Sequence, residues 1–327
     1  MNESEPSSSG KSLSKQTGPD ASIPDTSDPE DSESESSDHD FTGFTSLAET
    51  RVAVVGLGLM GGSLALALRG RVAALVGYDP DPQVVSLANQ QQVVDRASSD
   101  LGEILPGSDL VVLAAPVLAI LDLLHRLDQL HSGPAIVLDL GSTKTLVAAA
   151  MASLPERFDP LGGHPMCGKE KASLINADQG MFRGAVFALT PLPRTSHSAK
   201  KLVQELVKGI GAQALWLDPA SHDRWAAATS HLPYLLAHAL TLATPLDAAP
   251  LVGPGFLSTS RLAGSYTPMM LDVLQTNRQN ILAALRVFRG SLEEIELCLM
   301  REDFEALEDI LWRSTHQHEV LASRGGR

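Results

Sequence analysis

Along this chain, short unbroken apolar runs alternate with longer stretches whose apolar residues recur at helical spacing. Residues 51–56 (RVAVVG) are such a run, β-branched and suited to a buried strand. GLGLMGGSLALALRG follows at once: glycines first, then helix formers, with Gly70 as the stop. Residues 73–78, 109–116 and 135–140 predict further strands. Helical patterns lie at 118–130 and 143–154, and Asp79-Pro80 predicts a helix start with Pro80 in the first turn. Weaker strand signals at 185–190 and 213–218 flank a helix at 198–208. Strands alternating with helices imply an α/β fold, a Rossmann-type, doubly wound parallel sheet. From Pro219 strand signals vanish, and helical patterns fill 221–243, 268–300 and 302–322, with a turn-rich loop at 244–256. The expected organisation is a polar tail (1–48), a sheet domain (49–218) and an all-helical domain (219–327).

Composition sharpens this picture. Hydrophobic residues make up 43% of the chain and aromatics only 4%, which suits α/β packing better than a β-sandwich. Residues 1–40 carry eleven acids, two lysines and twelve serines, a net charge of −9. Such a segment buries too little surface to offset its chain entropy, so it is expected to be disordered. It leaves only −5 of the chain's −14 on the remainder. With no basic patch to meet phosphates, nucleic-acid binding is disfavoured. Two cysteines, Cys167 and Cys298, make no disulfide framework, and a reducing, cytoplasmic setting is expected. No apolar run approaches the roughly 18–20 residues that span a bilayer, and the acidic start is unlike a signal peptide. No metal site is expected.

The first candidate chemistry is the turn Gly56-Leu57-Gly58-Leu59-Met60-Gly61, set between a strand and a helix. In that context the spacing is a dinucleotide fingerprint. Gly56 permits the tight turn, Gly58 lets the backbone approach a pyrophosphate, and Gly61 lets helix and strand pack closely. The helix N-terminus offers N–H groups to phosphates. Asp79, at the end of the second strand, is placed to bind a ribose and to repel a 2′-phosphate, which favours NAD over NADP. Its plainer role is to cap the next helix.

Four further residues are candidates for chemistry at the nicotinamide end. Ser142 follows a strand in DLGSTK, or else caps the helix over 143–154. His164 sits in the glycine-bounded loop GGHPM, and His231 in SHLPY. Arg261 follows GFLSTS, where a guanidinium suits a carboxylate. A cofactor that accepts hydride, a histidine that takes a hydroxyl proton and an arginine that fixes an acid define alcohol oxidation on a carboxylated small molecule.

Taken in order, GLGLMGGSLA, VVLAAPV, DLGSTK, GGHPMCGKEK, SHLPY and GFLSTSRLAGS with MMLDVLQTNR resemble the prephenate/arogenate dehydrogenase family of tyrosine biosynthesis, over about residues 51–290. The resemblance implies a nucleotide-binding domain, a helical domain that forms a homodimer, and NAD-dependent oxidative decarboxylation of prephenate, with arogenate as the alternative substrate. It implies that His164 handles the ring hydroxyl and that Ser142 orients it. His231, Arg261 and Glu170 would bind substrate, and Pro116 would line the cofactor. Cys167, Lys169 and Leu257 depart from the family pattern near the side-chain pocket. With helical pattern running to the end, no separate tyrosine-sensing domain is expected. A β-hydroxyacid dehydrogenase is disfavoured, because residues 219–290 hold no lysine to serve as its proton-handling residue.

Overall fold

A computed structural model describes residues 46–169, 173–265 and 267–325. The acidic stretch 1–45 and Glu170 lie outside the described residues. The first described element lies slightly ahead of the first strand. Leu47–Glu49 form a 3-10 turn whose Leu47 is buried and whose backbone N–H donates to Glu205 at 3.3 Å.

The sheet half comprises β1 (Arg51–Val55), α1 (Leu59–Leu68), β2 (Ala74–Tyr78), α2 (Pro82–Gln90), β3 (Arg96–Ser98), α3 (Leu101–Ile104) and β4 (Leu110–Leu113). It continues through α4 (Val117–Leu130), β5 (Ala135–Asp139), α5 (Thr145–Ala152), β6 (Phe158–Pro165), β7 (Val186–Pro191), α6 (His197–Gly209) and β8 (Gln213–Trp216). The eight strands form one sheet in the order β3-β2-β1-β4-β5-β6-β7-β8. The order reverses between β1 and β4, the crevice at which such sheets bind ligands.

Successive side chains of a strand point to opposite faces, and here both faces are covered. Val52 and Val54 join Leu64, Leu68, Leu202 and Leu206 on one face. Ala53 and Val55 join Ile120, Leu124 and Val147 on the other. This double burial is why the strands appear in the sequence as unbroken apolar runs.

The sheet is not wholly parallel. β7 runs antiparallel to β6, and β8 then lies parallel to β7. A parallel return needs a crossover element. The described part of the β6–β7 connection holds only the 3-10 turn Leu174–Asn176, so the chain re-enters from the end it left.

The remaining helices are α7 (Pro219–Ala226), α8 (Leu232–Ala243), α9 (Pro254–Ser260), α10 (Thr267–Thr276), α11 (Arg278–Met300) and α12 (Phe304–Arg324). A π-helical turn, Ala227–His231, joins α7 to α8. Its cause is local: Pro233 has no N–H for the Thr229 carbonyl, and the ladder widens to accommodate it. The expected loop at 244–256 contains a 3-10 turn, Leu246–Leu251, and the start of α9. Among the described residues no helix is long and apolar enough to cross a membrane.

Candidate active site

The glycine turn closes the C-terminal end of β1, and each glycine meets a different constraint. Gly56 has φ +99°, and a Cβ there would stand 2.5 Å from the Ala114 carbonyl oxygen. A Cβ on Gly61 would fall 1.8 Å from the Gly56 carbonyl oxygen. A Cβ on Gly58 would meet nothing within 4 Å, so the protein leaves open space at that backbone. A turn held close by Gly56 and Gly61 but open at Gly58 fits a bound pyrophosphate. Leu57 does not present its side chain. It is buried against Gly77 of β2, and its backbone N–H donates to Asp79 Oδ2 at 2.9 Å. Leu59 and Met60 open α1, and Met60 packs against the core.

Asp79 does not cap a helix. α2 starts at Pro82 rather than Pro80, and Asp81 caps it by accepting from Gln83 N–H at 2.8 Å. The Asp79 carboxylate instead accepts from Leu57 N–H and, at 3.0 Å, from Asp81 N–H. It is thereby pinned where β2 meets the glycine turn. Pro116 stands immediately before α4, past the end of β4 on the same edge.

Ser142 lies half-buried on the turn between β5 and α5. It does not cap α5, which starts at Thr145. The next residues build a buried electrostatic core. Lys144 is fully buried, and its ammonium donates to Asp139 and, at 2.7 Å, to the Gly163 carbonyl. Burial lifts the Asp139 carboxyl and lowers the Lys144 ammonium, each opposed by the other's charge.

His164 is not on a loop. It occupies the C-terminal end of β6, paired with Ala188 of β7. The glycines before it serve packing rather than a turn. A Cβ on Gly162 would lie 2.2 Å from Thr190 Oγ1, and one on Gly163 would lie 2.9 Å from the Asp139 carbonyl oxygen. Among the described residues no hydrogen bond joins Ser142 to His164. Nδ1 of His164 instead meets Nε2 of His222, from α7, at 2.9 Å. His222 Nδ1 meets Asp223 Oδ1 at 2.9 Å. Asp223 also accepts from the backbone N–H groups of Lys144 (2.7 Å) and Thr145 (2.8 Å). The helical half is thus tied to the turn that carries Ser142. Burial alone would raise the Asp223 carboxyl, but hydrogen bonds from His222, Thr145 and Lys144 outweigh it and hold the group below the usual carboxylate range. Burial, His222, Lys144 and His231 together hold His164 well below the usual imidazole range. It is a neutral base at pH 7.

His231 ends the π turn and is 1% exposed. Asn277, between α10 and α11, donates its amide to the Asp223 carbonyl at 2.7 Å, which fixes the orientation of that amide. The same Nδ2 lies 3.1 Å from His231 Nδ1, so Nδ1 accepts and the ring carries its proton on Nε2. Burial pushes His231 down to about 4, with Asp223 opposing and His222 adding to the shift. Arg261 is exposed on a 3-10 turn, Arg261–Gly264, that packs against α8.

Sequence reasoning singled out His164, His231 and Ser142 and passed over Lys144, His222, Asp223 and Asn277, which the structure links to His164 or His231 or buries beside them. The available signal was SHDRW, where adjacent ionisable residues follow a helix-opening Asp-Pro and fall on a buried position.

A glycine turn at the switch point of the sheet, with a neutral imidazole on the same edge, defines a two-domain, dinucleotide-dependent dehydrogenase. Comparison with known proteins narrows the class. Residues 63–216 match the family model described as prephenate dehydrogenase, nucleotide-binding domain, and residues 218–313 match the one described as its dimerization domain. The prephenate dehydrogenase of Bacillus subtilis is 32% identical over 269 residues, 78% of this chain and 72% of that protein. That of Lactococcus lactis is 29% identical over 79% of this chain and 73% of its own. The crystal structure of Aquifex aeolicus prephenate dehydrogenase with hydroxyphenyl propionate and NAD+ superposes with a TM-score of 0.76, at 30% identity over 84% of this chain and all of that one. Synechocystis arogenate dehydrogenase gives 0.72 at 28% identity, over 82% of this chain and 99% of its own. The chain belongs to the prephenate dehydrogenase family.

Proposed function

We propose that the protein catalyses NAD-dependent oxidative decarboxylation of prephenate to 4-hydroxyphenylpyruvate, as a homodimer whose residues 49–218 hold the cofactor and whose residues 219–327 complete the substrate site. The observation that carries this reading is the neutral His164 at the ligand edge of the sheet, in a chain about 30% identical to curated prephenate dehydrogenases over most of its length. Gly56, Gly58 and Gly61 would cradle the pyrophosphate, and Pro116 would line the same crevice. The pinned carboxylate of Asp79 supports NAD over NADP, since a 2′-phosphate there would meet a fixed negative charge. When bound, NAD supplies the hydride acceptor.

His164 takes the proton of the ring hydroxyl at Nε2 as the carbinol carbon is oxidised. The ring carboxylate leaves as carbon dioxide, its bond electrons restore the aromatic ring and reach the ring oxygen, and the proton held on His164 Nε2 returns to that oxygen to give the phenol; aromatisation draws the reaction forward. His231 offers its Nε2–H as a donor to the substrate. Ser142 contributes a hydroxyl from the β5–α5 turn, and Arg261 and Glu170 are assigned to substrate binding.

The test is NADH formation with prephenate and with arogenate, each with NAD and NADP. Prephenate with NAD is expected to turn over fastest. A strong preference for arogenate would overturn the substrate assignment and keep the chemistry. His164→Asn is expected to lower kcat by about 100-fold or more with NAD affinity unchanged. Undiminished turnover would remove His164 from its role.

A further inference from the structure

The general base proposed above needs a bare Nε2, yet a histidine ring on its own does not fix which nitrogen carries the proton. In this structure the choice is dictated by the two residues behind the ring. Asp223 is an acceptor only, so His222 donates Nδ1–H to it at 2.9 Å. With its Nδ1–H given to Asp223, His222 turns Nε2 toward the second ring, where it accepts from His164 Nδ1–H at 2.9 Å. That leaves the lone pair of His164 on Nε2. The chain of contacts ends on a fixed anchor. Both Asp223 oxygens are held by backbone N–H groups of the β5–α5 turn, and His222 and Asp223 are 3% and 1% exposed. Neither residue shares a hydrogen bond with the glycine turn. We infer that His222, held by Asp223, is the positioning residue that sets the tautomer of His164 and so creates its proton acceptor. This inference rests on the base role of His164, but the tautomer itself can be read without any turnover.

The experiment compares His222→Leu with His222→Gln. Glutamine can accept from His164 through its amide oxygen and donate to Asp223 through its amide nitrogen. Leucine fills similar space and does neither. We expect His222→Leu to lower kcat by roughly 10- to 100-fold, with KM for substrate and NAD within about twofold, because only the proton-handling step, worth about 100- to 10,000-fold in all, is impaired. His222→Gln is expected to keep most of kcat. If the position only packs, leucine should equal or exceed glutamine, which would overturn the proposal. Two-bond proton–nitrogen spectra of histidine-labelled protein give the direct readout. His164 should carry its proton on Nδ1 in the native and glutamine forms, and on Nε2 to a substantial extent in the leucine form. A native His164 protonated on Nε2 would refute the inference even if His164→Asn is inactive. If His164→Asn is fully active while the Nδ1–H tautomer is observed, the base role fails and the positioning geometry stands.

Discussion

At the scale of single residues, the glycines of the nucleotide turn separate two kinds of requirement that the sequence motif merges. Gly61 is required by the protein itself, since any side chain there would drive into the Gly56 carbonyl at 1.8 Å. Gly58 is required by nothing in the protein, because its Cβ direction is open and its φ of −71° suits any residue. The two alanine variants should therefore fail differently. Gly61→Ala is expected to cost about 2 kcal/mol or more. That corresponds to a fall of roughly 4–8 °C in Tm, seen in a thermal melt without ligand. Gly58→Ala should melt within about 2 °C of the native protein and raise the Kd for NAD by about tenfold or more, since its methyl meets only the cofactor. Equal loss of Tm in both variants would contradict this division of roles.

At the scale of elements, legibility followed burial geometry. β1, β4 and β5 were plain in the sequence because both faces are covered and each is a run of buried apolar residues. β6 was not. Its residues, FDPLGGHP, include two prolines, two glycines and an aspartate, all poor strand formers, and the composition signals a turn. Those residues answer to what packs across them: Thr190 over Gly162, and Asp139 with Lys144 against Gly163. Such constraints link positions far apart in the chain, and no local pattern carries them. The same holds for the pair 222–223, whose partner His164 is 58 residues away from His222. β3, with only three residues, offered no period to detect. The buried ion pair is the element-scale feature with the sharpest consequence. Removing one member strands the other's charge, so Lys144→Met is expected to cost about 3–5 kcal/mol in denaturant unfolding. Asp139→Asn combined with Lys144→Met should recover more than half of that loss. No uncompensated charge remains in the double variant, and the amide oxygen introduced at position 139 can still accept from Gly141 N–H, as the carboxylate does. Simple additivity of the two single losses would show that the residues do not act as a pair.

At the scale of the whole molecule, the two halves treat apolar surface differently. Among the described residues the sheet half exposes few large apolar side chains, Ile175 at 73% the most, whereas the helical half leaves Leu242 86%, Leu246 94%, Leu251 89%, Val287 74% and Trp312 67% exposed. Extended apolar exposure of this kind marks an association surface, and residues 218–313 match a dimerization domain. Two identical copies can bury the same patch against each other about a two-fold axis. Leu242 and Leu246 make the cleanest test. Both are over four-fifths exposed, so charge placed there costs the folded subunit little, whereas an apolar interface would have to desolvate it. We expect the native protein to sediment as a dimer at micromolar concentration. Leu242→Glu with Leu246→Glu should sediment as a monomer with an unchanged far-ultraviolet circular dichroism spectrum. If the double variant remains dimeric, the contact lies along α11 and α12 instead, and Val287→Glu with Trp312→Glu becomes the variant expected to dissociate. A native protein that sediments as a monomer would remove the interface altogether and leave these leucines without a partner.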